Sequence, residues 1–200
     1  MFKLVPLLVK GSRYSCFLEK KKGGGDGFLC RLLRDYEINC FVKDTYAVPI
    51  YAQAFTSPNF EFPDMVTAFE VFEHFVDPEK ELDNLFLLNP KVLLVSTELY
   101  ANAYSDWWYL SPHTGQHVFF YSKQAFSFIA KKYGYDVVIQ GGFILFLKKN
   151  MLTFMNRVSL QVLLKPRFFR ILLALLYLLP TGGVLKDYAE IQSAYKKSRG

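Results

Sequence analysis

The chain has 200 residues and a mass of 23.2 kDa, with 52% hydrophobic residues and a formal net charge of +6. This length and hydrophobic content suit one globular domain and exclude a disordered chain. The three cysteines, Cys16, Cys30 and Cys40, have no paired metal-ligand spacing and leave one thiol over. We therefore predict a reducing, cytoplasmic location, no disulfide framework and no metal site.

The charge is distributed unevenly along the chain. Residues 148–200 have ten Lys or Arg against two acids, a net charge of +8, whereas residues 1–147 carry −2. Because the basic tail is also rich in Leu and Phe, we predict contact with an anionic membrane surface through residues 151–180 and no nucleic-acid binding. A solvated basic helix face is the alternative. The longest uncharged apolar run, residues 171–180, is too short to span a bilayer, and residues 1–9 lack the features of a signal peptide.

The first predicted elements are a strand over residues 14–18, a glycine-rich turn over residues 23–27 and a helix over residues 28–35. Strand, glycine turn and helix together favour a cradle for a phosphate or nucleoside, with a flexible linker as the alternative. The predicted apolar face of the helix contains Phe28, Leu29, Leu32 and Leu33, and another face contains Arg31, Arg34 and Asp35.

A second strand is predicted over residues 38–43, and Asp44 follows it, seventeen positions after Gly27. Doubly wound folds place an acid for ribose hydroxyls at about 20 residues past the glycines. Asp44 is therefore a candidate for that contact, although an aspartate at a strand end is also a common turn former.

The most informative stretch is DMVTAFEVFEHFVDP, residues 64–78. Its apolar part predicts a buried strand over residues 65–69, and a loop with Glu70, Glu73 and His74 follows. Asp77 as N-cap and Pro78 at the first helical position predict a helix through residue 88. Glu73 is interpreted mainly as a charge at the helix start. Open α/β sheets bind ligands at the carboxyl ends of such strands.

The next strand is predicted over residues 92–97, and a long connection over residues 98–114 follows it. Because long loops in compact domains are usually functional, we interpret this connection as the substrate wall. Residues 115–121, GQHVFFY, are predicted as a short strand or turn.

The remaining elements predict the carboxyl-terminal edge of the sheet. Ser122 caps a helix through residue 132 that ends at Gly134, and residues 135–139 and 143–147 form an antiparallel hairpin. One or two apolar helices are predicted over residues 152–179, and a polar helix over residues 186–197. The β-α-β alternation predicts a mostly parallel α/β sheet. We divide the chain into a domain over residues 1–149 and a basic, apolar helical extension over residues 150–200.

These motifs resemble those of class I S-adenosylmethionine-dependent methyltransferases, in the small-molecule branch related to ubiquinone-biosynthesis and sugar methyltransferases. The resemblance spans residues 18–149 and rests on GGGDG, the acid after the second strand, DMVTAFEVFEHFVDP, DWWYL and GQHVFFYS. It implies a Rossmann-like, seven-stranded sheet and S-adenosylmethionine as cofactor. The implied cofactor contacts are Gly23, Gly25, Gly27, Asp44, Ala68, Phe69 and Glu70.

The implied reaction is methyl transfer to a small-molecule acceptor, with O-methylation of a sugar or a lipid-linked intermediate as the specific prediction. A hydroxyl acceptor must lose its proton, so His117 and His74 are candidate general bases. Structural roles for both histidines remain the alternative. Trp107, Trp108 and Tyr109 suit a sugar or planar ring, and an aromatic plug over the core is the other interpretation.

The chain departs from the family pattern at its amino-terminal end. Lys21 stands where the family has an acid, two positions before the first glycine, and little sequence precedes the first strand. A cation near the ligand's ammonium and sulfonium groups weakens binding by like-charge repulsion. We therefore expect an altered or truncated amino terminus, or else a non-catalytic methyltransferase-like module with weakened cofactor binding.

Overall fold

The structure is a computed structural model that describes residues 14–17, 26–44, 48–57, 61–101, 106–149 and 182–197. Predictions for Leu18, Lys21, Gly23, Gly25 and residues 151–180 lie outside these ranges. Among the described helices, none is long and apolar enough to cross a membrane.

Six strands and four α-helices make up the regular structure of the described ranges. The strands are β1 (Tyr14–Phe17), β2 (Val42–Lys43), β3 (Met65–Phe69), β4 (Val92–Ser96), β5 (Tyr135–Gln140) and β6 (Phe143–Lys148). The helices are α1 (Phe28–Asp35), α2 (Pro78–Leu87), α3 (Lys123–Tyr133) and α4 (Gly183–Lys197), with 3-10 turns at Phe72–His74 and Trp108–Leu110.

The strands form one sheet in the order β2-β1-β3-β4-β6-β5. Strands β1 to β4 pair in parallel, and β6 is antiparallel to both β4 and β5. The mixed α/β sheet with its antiparallel hairpin is therefore confirmed. The structure describes six strands of this sheet, so the seventh stays a prediction.

Both faces of the sheet are covered by helices. Along β4, Val92 and Leu94 join the apolar cluster that includes Leu29 and Leu33 of α1. Leu93 and Val95 join the cluster formed with α2 and α3. Successive side chains of a strand point to opposite faces, so a sheet buried on both sides needs a continuous apolar run. This explains why every residue of β3 and β4 is buried.

The capping predictions are confirmed at three positions. The Asp77 carboxylate accepts from the Lys80 N–H at 3.2 Å, and the Ser122 hydroxyl accepts from the Ala125 N–H at 3.1 Å. Gly134 ends α3 with φ +77°, a left-handed conformation that glycine adopts without steric cost. These local signals place the starts of α2 and α3 and the end of α3.

Three predictions of local structure are wrong in part. The second strand is shorter than residues 38–43, because the Ile38 N–H bonds to Leu33 and the Cys40 N–H to Ile38 instead of to a neighbouring strand. Residues 115–121 form no strand, since the N–H groups of residues 118 and 119 both bond to the Glu73 carbonyl. In α1, Leu29 and Leu33 are buried as predicted, but Phe28 is 52% exposed and Arg34 only 5%, the opposite of the prediction for these two residues.

Candidate functional site

The polar residues of the site lie where the parallel strands end. Asp44 follows β2, Glu70 follows β3, and Thr97 follows β4. The chain passes from β1 to β2 on one side of β1 and returns to β3 on the other side. Open α/β sheets bind ligands at such a reversal of strand order, outside the carboxyl ends of the strands.

Glu70 lies in the left-handed region, with φ +54°. This conformation costs a non-glycine residue about 1 kcal/mol or more, so surrounding contacts must hold it. Its N–H donates to the Ser96 carbonyl at 2.9 Å and lies 3.2 Å from the Ser96 hydroxyl. That hydroxyl donates in turn to Glu70 Oε1 at 2.8 Å. Strands β3 and β4 are thus joined at their ends.

Tyr109 connects this pair of strand ends to the loop after β4. Its side chain is 2% exposed, and its hydroxyl donates to Glu70 Oε2 at 3.0 Å. Thr97 Oγ1 lies 3.1 Å from the same hydroxyl. Burial raises the pKa of the Tyr109 phenol, which keeps it protonated and able to donate. Sequence reasoning missed Ser96 and Thr97, although hydroxyl residues at the end of a buried run are a usable signal.

His74 and His117 come together next to Tyr109. Their ring centroids are 5.0 Å apart, and the His117 ring lies 4.4 Å from that of Tyr109. Nδ1 of His74 lies 2.8 Å from the Gln116 carbonyl, and Nδ1 of His117 lies 2.6 Å from the Tyr109 carbonyl. A carbonyl only accepts, so the neutral form of each ring carries its proton on Nδ1 and its basic lone pair on Nε2.

Glu73 is a fully buried carboxylate, at 0% exposure. This corrects its interpretation as a helix-start charge, which would be solvated. Its Oε1 lies 3.7 Å from His74 Nε2, and neither carboxylate oxygen accepts a well-formed hydrogen bond from a described group. Burial raises the pKa of Glu73, and the nearby Glu70 carboxylate adds to the effect.

Glu73, His74 and His117 could together hold a metal ion, because one ligand atom from each lies within 4.8 Å of the others. The sequence predicts no metal site, because its cysteines lack paired ligand spacing. These three groups come from two segments of the chain that meet only in the fold. Two imidazoles and one carboxylate are a common ligand set for Zn²⁺ and Fe²⁺.

The residues predicted to hold the cofactor are only partly described. Gly27 adopts φ +82° at the start of α1, and a Cβ there would lie 2.9 Å from the Ala52 Cβ. Asp44 is half-buried. Ala68 is part of the apolar cluster beneath α2 and α3, and Phe69 is part of the cluster beneath α1.

The three residues predicted as a substrate wall have different environments. Trp108 is 72% exposed, whereas Tyr109 is buried. Trp107 is half-buried, with its ring 6.0 Å from that of Tyr100 and 5.2 Å from that of Phe120. The Tyr109 ring contacts both tryptophan rings, with centroid distances of 5.5 Å to Trp107 and 5.3 Å to Trp108.

A cavity of about 790 Å³ lies elsewhere, between α1, the chain before β2, and α4. Arg34, Phe41, Phe55 and Asp187 are among its lining residues. None of the predicted cofactor, catalytic or substrate residues that fall within the described ranges lines it. We therefore place the candidate site at the strand ends, where the histidines and the strained Glu70 lie.

Comparison with known proteins identifies the family. The sequence profile of the methyltransferase-domain family matches residues 22–140, more than half of the chain. The chain belongs to the methyltransferase-domain family. No protein with a curated description shows a significant sequence match.

Solved structures agree on the fold. Magnesium protoporphyrin IX methyltransferase from Synechocystis PCC 6803, with bound S-adenosylhomocysteine, is 13% identical with a TM-score of 0.54, and the match covers 73% of this chain and 78% of that one. The YcgJ protein from Bacillus subtilis is 16% identical with a TM-score of 0.50, and 70% of each chain is covered. The methyltransferase-like α/β fold of this family member is thus established.

Proposed function

We propose that this family member transfers a methyl group from S-adenosylmethionine to a hydroxyl of a small molecule, either a sugar or a lipid-linked intermediate. Family membership implies this cofactor, which supplies an activated sulfonium methyl group when bound. The described residues fit such a ligand. Gly27 allows the glycine turn to pack closely against Ala52 with φ +82°, and Asp44 follows β2 where an acid can bind ribose hydroxyls.

His117 is the proposed general base. A hydroxyl acceptor must lose its proton during transfer, and a base must present a lone pair within hydrogen-bonding distance of it. The observation that carries this proposal is the contact of His117 Nδ1 with the Tyr109 carbonyl at 2.6 Å, which leaves Nε2 basic. His117 is half-buried, so an acceptor can reach it.

His74 is the second candidate for this role. Its Nδ1 contacts the Gln116 carbonyl in the same way, but its Nε2 lies 3.7 Å from the buried Glu73 carboxylate. This Nε2 atom is buried, so an acceptor hydroxyl has less access to it than to His117. His74 is therefore the weaker base candidate and the better partner for Glu73.

Trp107 is the proposed contact for the acceptor. Its half-buried ring is supported by Tyr100 and Phe120, and a fixed aromatic face binds the apolar side of a sugar or a planar ring. Positioning the acceptor against the methyl group in a water-poor pocket supplies much of the rate. Trp108, which is mostly exposed, contributes less to such a pocket.

The test is methyl transfer from labelled S-adenosylmethionine to a panel of sugars and lipid-linked sugars. His117→Ala should lower kcat by roughly 10²- to 10⁴-fold, the usual contribution of a general base, and should leave the KM for S-adenosylmethionine unchanged. The fall in rate at acidic pH that reflects protonation of the base should also disappear. His113→Ala, which alters an exposed histidine in the same region, is the control. Full activity of His117→Ala would exclude His117 as the base.

We propose as a second candidate function a non-catalytic module, favoured by Lys21 at the position where the resemblance to the family implies an acid. Isothermal titration with S-adenosylmethionine and S-adenosylhomocysteine separates the two. An enzyme should bind both ligands. Absence of binding at millimolar ligand would contradict the enzyme proposal and favour the module.

A further inference from the structure

A buried ion pair joins α4 to α1 across 153 positions of sequence. Arg34 Nη2 donates to Asp187 Oδ1 at 2.7 Å, and Arg34 Nε lies 3.0 Å from Oδ2. The two side chains are only 5% and 6% exposed. Desolvating such a pair costs several kcal/mol, so it is weak grounds for a gain in stability. Its two-point geometry does set the orientation of one helix relative to the other.

The same guanidinium contacts a residue that precedes β2 in the sequence and a residue that follows it. Arg34 Nη1 donates to the Cys40 carbonyl at 2.9 Å, and the guanidinium lies over the Phe55 ring, 3.5 Å from its centroid. The Phe55 carbonyl accepts from the Val42 N–H of β2 at 2.9 Å. One buried cation thus connects α1, the start of β2, the segment around residue 55, and α4.

These connected elements also carry the proposed cofactor contacts. Helix α1 begins directly after Gly27, and β2 ends directly before Asp44. The segment that contains Phe55 also packs against the glycine turn, since the Tyr51 N–H donates to the Asp26 carbonyl at 2.8 Å and Ala52 lies against Gly27. A shift of Arg34 would therefore be transmitted to both Gly27 and Asp44.

The start of α4 packs directly against the end of α1. A Cβ at Gly183 would overlap the Arg34 carbonyl oxygen, so the two backbones are in direct contact. Arg31 adds a second link, with Nη1 2.9 Å from Asp187 Oδ2. The Asp187 carboxylate therefore receives donors from two residues of α1, one turn apart.

We propose that α4 is a part of the cofactor-binding half of this protein, and that Asp187 is a positioning residue that fixes Gly27 and Asp44 through Arg34. This inference rests on the proposed cofactor site. It also makes α4 part of the domain whose predicted end is residue 149. In this role Asp187 acts through Arg34 and does not touch the cofactor.

The test compares Asp187→Asn with Glu190→Gln in the full chain. Glu190 is 57% exposed and lies 3.6 Å from Arg34 Nη2. The Glu190→Gln substitution therefore removes one negative charge close to Asp187 without breaking the buried Arg34–Asp187 pair. Asp187→Asn should weaken binding of S-adenosylhomocysteine about tenfold and raise the KM for S-adenosylmethionine with kcat nearly unchanged. Glu190→Gln should bind like the wild type.

Hydrogen exchange provides a readout that does not depend on ligand. Asp187→Asn should speed amide exchange in α1 and in residues 42–44 and leave the β4–β6 region at the wild-type rate. Exchange that rises only in α4, or ligand affinity that is unchanged, would overturn the inference. If the wild type itself binds no S-adenosylhomocysteine, the proposed function is contradicted. The amide exchange rates of α1 and residues 42–44 then still show whether Asp187 stabilises α1 and β2.

Replacing both charged residues with hydrophobic ones provides a second test in case Asp187→Asn does not fold. If Asp187→Asn does not fold, the double variant Arg34→Met with Asp187→Leu removes both charges while keeping apolar volume, a change that buried pairs often tolerate. We expect this variant to fold and to retain weakened cofactor binding. Wild-type affinity in the folded double variant would show that the oriented ion pair is unnecessary and would overturn the proposal.

Discussion

The face of the sheet covered by α2 and α3 is held by aromatic and aliphatic contacts, whereas the face covered by α1 has a buried guanidinium and carboxylate beside its apolar cluster. In the first region Phe126 packs among Phe72, Tyr121 and Phe146. In the second, Arg34 requires Asp187 at a specific position and angle. Apolar packing is non-directional and tolerates adjustment, while a buried charge needs its partner in place.

This difference indicates a division of roles. The apolar region supplies stability and a rigid base for β3 and β4, at whose ends Glu70, Ser96 and Thr97 lie. The charged region supplies orientation for the elements that carry Gly27 and Asp44. Substitutions should therefore mainly lower stability in the first region and mainly alter ligand affinity in the second.

The largest effect should come from the apolar region. Phe126→Ala removes a fully buried ring from the contact between α3 and the sheet, and should lower the free energy of unfolding by about 3–5 kcal/mol because the surrounding rings cannot fill the cavity. Phe128→Ala is the matched control, since Phe128 is on the same helix but 68% exposed. Denaturant unfolding should separate the two variants, and equal losses would contradict the assigned core.

A pH-dependent effect should come from Glu73, the buried acid at the edge of the apolar region. Burial raises its pKa above the ordinary value of 4.5, so folding favours the protonated form. Its stabilising contribution is complete below pH 4.5 and declines as the pH rises through the folded-state pKa. Glu73→Gln should therefore gain stability relative to the wild type as the pH rises.

Urea unfolding at a series of pH values measures this difference. Glu61→Gln, at an exposed position, should show no comparable trend. A Glu73→Gln variant whose stability relative to the wild type falls with pH would mean that the charged form is the one the fold stabilises. In that case the ion pair with His74 would outweigh the cost of burial.

The smallest effect should come from a local contact at the start of α3. Ser122→Ala removes the hydroxyl that accepts from the Ala125 N–H and should cost about 1 kcal/mol, the usual value of an N-cap. Ser127→Ala on the same helix removes an exposed hydroxyl that donates to the Lys123 carbonyl and should change stability by less than about 0.5 kcal/mol. Thermal unfolding of both variants checks this, and similar losses would argue against the cap.

Much of the fold could be predicted because its signals are local. The bounds of β3 and α1 match the predictions, and α2, α3 and the hairpin begin where their caps and turns indicate. The apolar face of α1 could not be predicted in full. Periodicity assigns an arginine to solvent, and the buried position of Arg34 depends on Asp187 at a distant point of the chain.

The candidate site shows the same limit. The sequence pointed to Glu70, His74, His117 and Tyr109, but did not reveal that Tyr109 bridges Glu70 and Thr97 or that Glu73 is buried next to His74. Side-chain burial and partners depend on which segments meet. Residues 116–119 cover the turn at Phe72–His74 only after the chain has folded.

The sequence by itself determined the order of the described strands and α-helices, the parallel core of the sheet with its final hairpin, and the polar residues at the ends of β2 and β3. Hydrophobic period, caps and turn residues act over a few positions, so they can be deduced without the fold. Only the tertiary structure decided that Glu73 is buried, that two histidine rings share one site, and that Asp187 pairs with Arg34. These outcomes depend on contacts between segments that are distant in the sequence. A local sequence pattern does not show which polar groups lose their water in such contacts or how they are oriented.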